Sequence, residues 1–158
     1  MTAAEAGVRI LNLALMSAEP LTQVVLSISV IEALGQEENW TERQKVFLTR
    51  LARDVENAGG AGNDEKEIAD ALRRSMHRIG LRQGVLRIFV RLDISHLKKE
   101  WDRLYAIRSG VFHGTKRLSE PEMHELAQAA MTLCGKVLIA LLRRDDIPIP
   151  AISEKHYK

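Results

Sequence analysis

One cysteine, Cys134, occurs in 158 residues. A disulfide framework needs pairs and a thiolate zinc site needs several ligands, so both are excluded. Only four prolines and ten glycines interrupt the chain, which leaves long stretches free to be helical. Aromatic residues make up only 4% of it, too few for nucleic-acid binding dominated by base stacking. No uninterrupted run approaches the ~20 apolar residues of a membrane helix. The strongest candidate, Leu21 to Leu34, is short and carries Gln23, Ser27, Ser29 and Glu32. The apolar run Ile10 to Met16 lacks the basic flank of a signal peptide, with Glu5 ahead of it and Arg9 its only base. The expectation is a cytoplasmic protein in a reducing compartment: one domain over residues 1–146, then a short tail over 147–158.

The formal net charge is only +2, from 23 basic and 21 acidic residues, and it is unevenly spread. From Arg73 to Arg117 there are 12 Lys/Arg against three acids, Asp93, Glu100 and Asp102. A basic centre on a near-neutral chain is the pattern of a local anion-binding face. The other reading is a set of solvated helix faces balanced by the acidic ends.

Helical periodicity runs throughout. A short helix is expected over Val8–Ser17. Pro20 opens a second, with Leu21, Val24, Val25, Ile28, Ile31 and Leu34 at helical spacing and Gly35 as its stop. Thr41 and Gln44 form a capping box. The helix behind it carries Phe47, Leu48, Leu51 and Val55 on one face. Gly59 to Asn63 is a flexible loop, and with no Lys-Ser/Thr behind it, it is not a phosphate loop. Asp64 caps a helix with Ile68, Ala71, Leu72, Ser75, Met76 and Ile79 inward. Arg74, Arg78 and Arg82 form a basic ridge only if that helix survives Gly80, and Gly80 and Gly84 both read as breakers there. Val85–Leu92 is a short helix, and Ser95 opens another to about Phe112. Ser119 and Glu122 form a second capping box, and a last helix runs to Arg144 with Leu126, Ala130, Leu133, Val137, Leu138 and Leu141 inward. The fold class is all-α, a bundle of about five or six helices.

The helix from Ser95 holds the chemistry. Ile94, Leu97, Trp101, Leu104, Arg108 and Val111 form an apolar seam with an arginine in it. A guanidinium there needs a partner or a polar cleft. Glu32, the one acid of the second helix, is the candidate partner. Ala106, Ser109, Gly110, His113 and Gly114 share another side, and their small size suits close approach of a second helix, including one from a second copy. Gly114 is a natural residue to end the helix, which puts His113 at the negative end of the helix dipole. Arg108 and His113 are about 140° apart on an ideal helix. A shared site therefore needs a bend near Gly110, a fraying last turn, or a second chain.

The run Leu104-Tyr105-Ala106-Ile107-Arg108-Ser109-Gly110-Val111-Phe112-His113-Gly114 resembles the signature of the HEPN superfamily, most closely its abortive-infection-associated (Apea-like) branch. The hallmark is an arginine, four to six residues, then a histidine near the end of a late helix. Ile31-Glu32-Ala33-Leu34 is a weaker match in an early helix, and the resemblance spans about Val8 to Arg144. It implies a HEPN-like helical bundle acting as a homodimeric, metal-independent endoribonuclease without a cofactor, in phage defence or a toxin–antitoxin system. An antitoxin or another defence-system protein is then a possible partner, and a membrane is not. Carried onto this chain, His113 handles protons, Arg108 holds the phosphate and Ser109 orients it, with Tyr105 and Glu32 in support. The basic block around the motif supplies RNA-binding candidates: Arg74, Arg78, Arg103, Lys116 and Arg117.

Many active members carry Asn, Asp or His directly after the arginine, where this chain has Ser109. The competing reading is a catalytically silent module of the same fold that dimerises and binds a nucleotide or other ligand. The remaining residues of note read as structural. His77 and His96 are solvated, Met123 and Met131 are fill, Trp40 is a hydrophobic staple and Trp101 is core. His113 and His124, eleven apart across a turn, do not make a metal site.

Overall fold

A computed structural model describes residues 2–58, 62–75 and 79–147. Among these residues the chain is all α-helical: α1 (Ala3–Met16), α2 (Pro20–Gln36), α3 (Glu42–Ala58), α4 (Asn63–Ser75), α5 (Leu81–Arg91), a 3₁₀ turn (Ser95–Leu97), α6 (Lys98–Phe112) and α7 (Glu120–Arg144). The expected all-α bundle is what forms. The chain groups into two compact units, Met1–Ile31 with Phe89–Lys158, and Glu32–Ile88. The tail from residue 148 lies outside the described residues, as do Met76, His77 and Arg78.

In the first unit α7 is the central element. Leu126, Ala127, Ala130, Leu133, Cys134, Val137, Leu138 and Leu141 are buried at helical spacing, and α1 and α6 both pack on α7. α2 is the more apolar helix but has only 17 residues, whereas α7 has 25. By length and composition α7, not the second helix, is the one described helix that could cross a membrane. Ser119 starts it as expected: its backbone N–H and its Oγ both donate to the Glu122 carboxylate, at 2.7 and 2.6 Å. Those hydrogen bonds, with the Lys116 charge as the smallest contribution, hold the Glu122 carboxyl below its ordinary value. The cap's contribution is therefore present above the ordinary carboxylate range and is lost as pH falls through the lowered value.

The first helix begins earlier than Val8. Thr2 and Glu5 form a reciprocal capping box, Thr2 N–H to Glu5 Oε2 at 2.8 Å and Glu5 N–H to Thr2 Oγ1 at 3.2 Å. The helix buries only Ala4, Gly7 and Ala14. A Cβ on Gly7 would lie 2.7 Å from Leu138 Cδ2 and 3.1 Å from Val30 Cγ1, so glycine sets how closely α1 approaches its neighbours.

In the second unit α3 and α4 form an antiparallel hairpin. Ala52 and Ala69 are buried, while Phe47, Leu51, Ile68 and Ala71 are exposed and Leu72 is half-buried, so the expected inward faces are rotated. Burying an alanine on each helix brings the backbones close and pushes the bulky side chains outward. Arg73 pairs with Glu56 across the hairpin and with Asp70 at 3.5 Å. The hydrogen bond from Arg73 lowers the Glu56 carboxyl from its ordinary value.

Gly35 does not stop α2, which continues to Gln36. It is buried against α5, where a Cβ on Gly84 would lie 2.1 Å from the Gly35 carbonyl oxygen. The two glycines mark a backbone-to-backbone contact, and this explains a glycine inside each helix. Because α4 ends at Ser75 and α5 begins at Leu81, Arg74 and Arg82 lie on different helices and the single basic ridge does not form. Trp40 is not a staple either, since the position it would meet in the next helix is Lys45. Its ring is covered instead by the Arg87 guanidinium, 5.1 Å from the centroid.

Gly84→Ala should therefore cost about 3 kcal/mol by overpacking against backbone. Gly135→Ala, with nothing within 4 Å of the added methyl, should gain about 0.5–1 kcal/mol. Thermal unfolding of both variants checks this, and equal shifts would contradict the close contact. Cys134 is buried and its thiol is pushed up to about 12. Ellman's reagent should leave it unmodified in the native protein and react on denaturation; fast native labelling would contradict its burial.

Candidate functional site

The seam of α6 forms as expected. Leu97, Trp101 and Leu104 are buried, and Phe89 meets the Trp101 ring edge-on at 6.5 Å between centroids. Tyr105, half-buried, lies against the Trp101 ring at 5.3 Å between centroids, which makes it a packing residue. One turn beyond Leu104 comes Arg108. It is half-buried, its Nε is fully covered, and its guanidinium lies 4.9 Å from the centroid of the Phe112 ring. Phe112 was not singled out in the sequence, although its i+4 spacing from Arg108 was the available signal. An arginine that stacks on a ring keeps its nitrogens in a fixed plane, which suits an oxyanion better than a freely swinging cation does.

His113 is the C-cap of α6, and its backbone N–H donates to the Ser109 carbonyl at 3.0 Å. Gly114 takes φ +68°, the left-handed value expected of the residue that ends a helix. The chain then folds back onto α6. The Gly110 carbonyl accepts from Thr115 N–H at 2.9 Å, Lys116 N–H at 3.0 Å and Thr115 Oγ1 at 3.1 Å. A Cβ on Gly110 would lie 3.1 Å from Lys116 Cβ. The small size of Gly110 thus serves this elbow. Ala106 on the same side remains exposed.

Arg108 and Ser109 lie in the last turns of α6, His113, Lys116 and Arg117 follow at the elbow, and Arg103 lies about 15 Å back along the helix from His113, all in the first unit. Ser109 is half-buried, and the imidazole of His113 is exposed, as are Arg103, Lys116 and Arg117, which make no ion pair among the described residues. Glu32, half-buried on α2, and Arg74, exposed on α4, belong to the second unit. Arg74 Nε donates to the Asp70 carbonyl at 3.3 Å. Arg78 lies outside the described residues. The basic block therefore divides: Arg73 and Arg87 are spent on internal contacts, and the cations at the α6 elbow face solvent. Among the described residues no three His, Cys, Asp or Glu side chains converge to hold a metal ion.

α6 is helical without interruption through Gly110 to Phe112. Arg108 on the seam and His113 on the open side therefore remain about 140° apart by helical geometry. Of the three ways to unite them, a bend near Gly110 is absent. No protein-family model, no curated protein and no solved structure matches the chain.

Gly114→Ala should cost about 1–2 kcal/mol, because a Cβ in the left-handed region meets its own backbone. Chemical denaturation measures it. A cost no larger than that of an exposed Gly→Ala at negative φ would contradict the elbow geometry.

Proposed function

We propose that the α6 elbow is a metal-independent endoribonuclease site of the HEPN type, completed by a second copy of the chain. The observation that carries the reading is an exposed histidine at the end of α6, followed through the elbow by the solvent-facing Lys116 and Arg117, with a stacked arginine on the same helix. An imidazole moves protons near neutral pH, and a guanidinium stabilises charge on a phosphoryl oxygen. In the proposed step the ribose 2′-oxygen attacks phosphorus, and the bond to the 5′-oxygen breaks. His113 takes the proton of the 2′-OH or supplies one to the departing 5′-oxygen, and water carries the other transfer. The products are a 2′,3′-cyclic phosphate and a 5′-OH. Arg108 steadies the phosphate, Ser109 adds a hydrogen bond, and Arg103, Lys116 and Arg117 track the backbone. DNA lacks the nucleophile and is not cut.

The second copy enters through geometry. One helix holds Arg108 and His113 too far round its axis to face one phosphate, whereas two helices can offer one group each. Incubation of the purified chain with single-stranded RNA in EDTA tests the reading. The wild type should cleave, and His113→Ala and Arg108→Ala should each lose at least about 10²-fold in rate with folding intact. No cleavage by folded wild type across several RNA sequences would overturn it in favour of a phosphate-binding module. Equal cleavage by the variants would place the activity elsewhere.

A further inference from the structure

The hairpin of the second unit presents an exposed stripe that the elbow does not use. Along α3, Arg43, Val46, Phe47, Arg50, Leu51 and Asp54 recur at steps of three and four, on the side turned away from buried Ala52. Val46 is 69% exposed, Phe47 65% and Leu51 39%, so one face of one helix presents three large apolar side chains to solvent. Charge frames them. Arg43 stands at the amino end and makes no ion pair among the described residues. Asp54 stands at the carboxyl end, 3.9 Å from Arg50.

We propose that this stripe binds the same stripe of a second copy, with the two α3 helices antiparallel about a two-fold axis. The stripe is self-complementary, as a two-fold interface requires. Turned end for end, the stripe sets Arg43 against Asp54 of the second copy and Asp54 against its Arg43. Between these ends, Val46 meets Leu51 and Phe47 meets Arg50, so apolar faces apolar and a guanidinium faces a ring. A partner of one charge sign fits less well, because the ends of the stripe carry opposite signs. One helix per copy makes a small contact, so the association is weak and appears at high concentration. The interface is separate from the pairing proposed at α6 and does not depend on it.

Sedimentation equilibrium of the full chain tests this with Arg43→Asp, Asp54→Arg and the double exchange. Both positions changed are exposed on the helix surface, so folding is retained. The average mass of the wild type should rise with concentration. Each single reversal turns two attractions per pair into repulsions and should weaken the rise by about tenfold or more. The double exchange restores both pairs with the ends swapped and should recover the association to within about threefold. Single variants that associate like the wild type, a double exchange that stays weak, or a wild type whose mass is constant would each overturn the α3 interface. RNA cleavage is not the readout, so this result and that of the α6 site are told apart.

Discussion

Burial of Leu97, Trp101 and Leu104 is the constraint on which the candidate site depends. These side chains fix the rotation of α6 about its own axis, since turning the helix would expose an indole and two leucines at about 1.5–3 kcal/mol each. Once the rotation is set, every later side chain has a direction. Arg108 falls at the outer end of the seam, where its stem is covered and its guanidinium comes to rest on Phe112. His113 falls on the open side. The packing of α6 on α7 thus sets Arg108 and His113 about 140° apart around the axis of one helix. The proposed second copy answers that separation.

The elbow is the second determinant. Three donors converge on the Gly110 carbonyl, and Gly114 makes the reversal possible with its positive φ. This folds Lys116 back along α6 and leaves it and Arg117 exposed beside His113. Elsewhere the same residue types do structural work. Arg73 ties α4 to Glu56 of α3, and Arg87 covers Trp40. A block of like charge in sequence therefore separates in space into bonded and solvated members.

The helices were legible where one bulky apolar face repeats, as in α7 and the seam of α6, and where capping chemistry is local, as at Thr41, Ser119 and Gly114. They were less legible where small residues do the packing. The buried positions of α1 are Ala4, Gly7 and Ala14, and those of the hairpin are Ala52 and Ala69. Periodicity weights large side chains, so it turned the faces of α3 and α4 toward Phe47 and Ile68, which stay exposed. Gly35 and Gly84 read as breakers because a helical glycine pairs with a distant backbone only in three dimensions. The motif residues of α6 were legible as residues on one helix. The platform under Arg108 and the use of Gly110 by the elbow were not, because both depend on contacts that spacing alone does not rank.

The most direct test of the account is subunit mixing between Arg108→Ala and His113→Ala, each inactive alone, after unfolding and refolding together. A site built from the arginine of one copy and the histidine of the other leaves one intact site in each mixed dimer. The account predicts recovery of about a quarter of wild-type RNA cleavage for random assortment. A mixture that stays inactive, while wild type treated in the same way cleaves, would contradict a site shared between two copies.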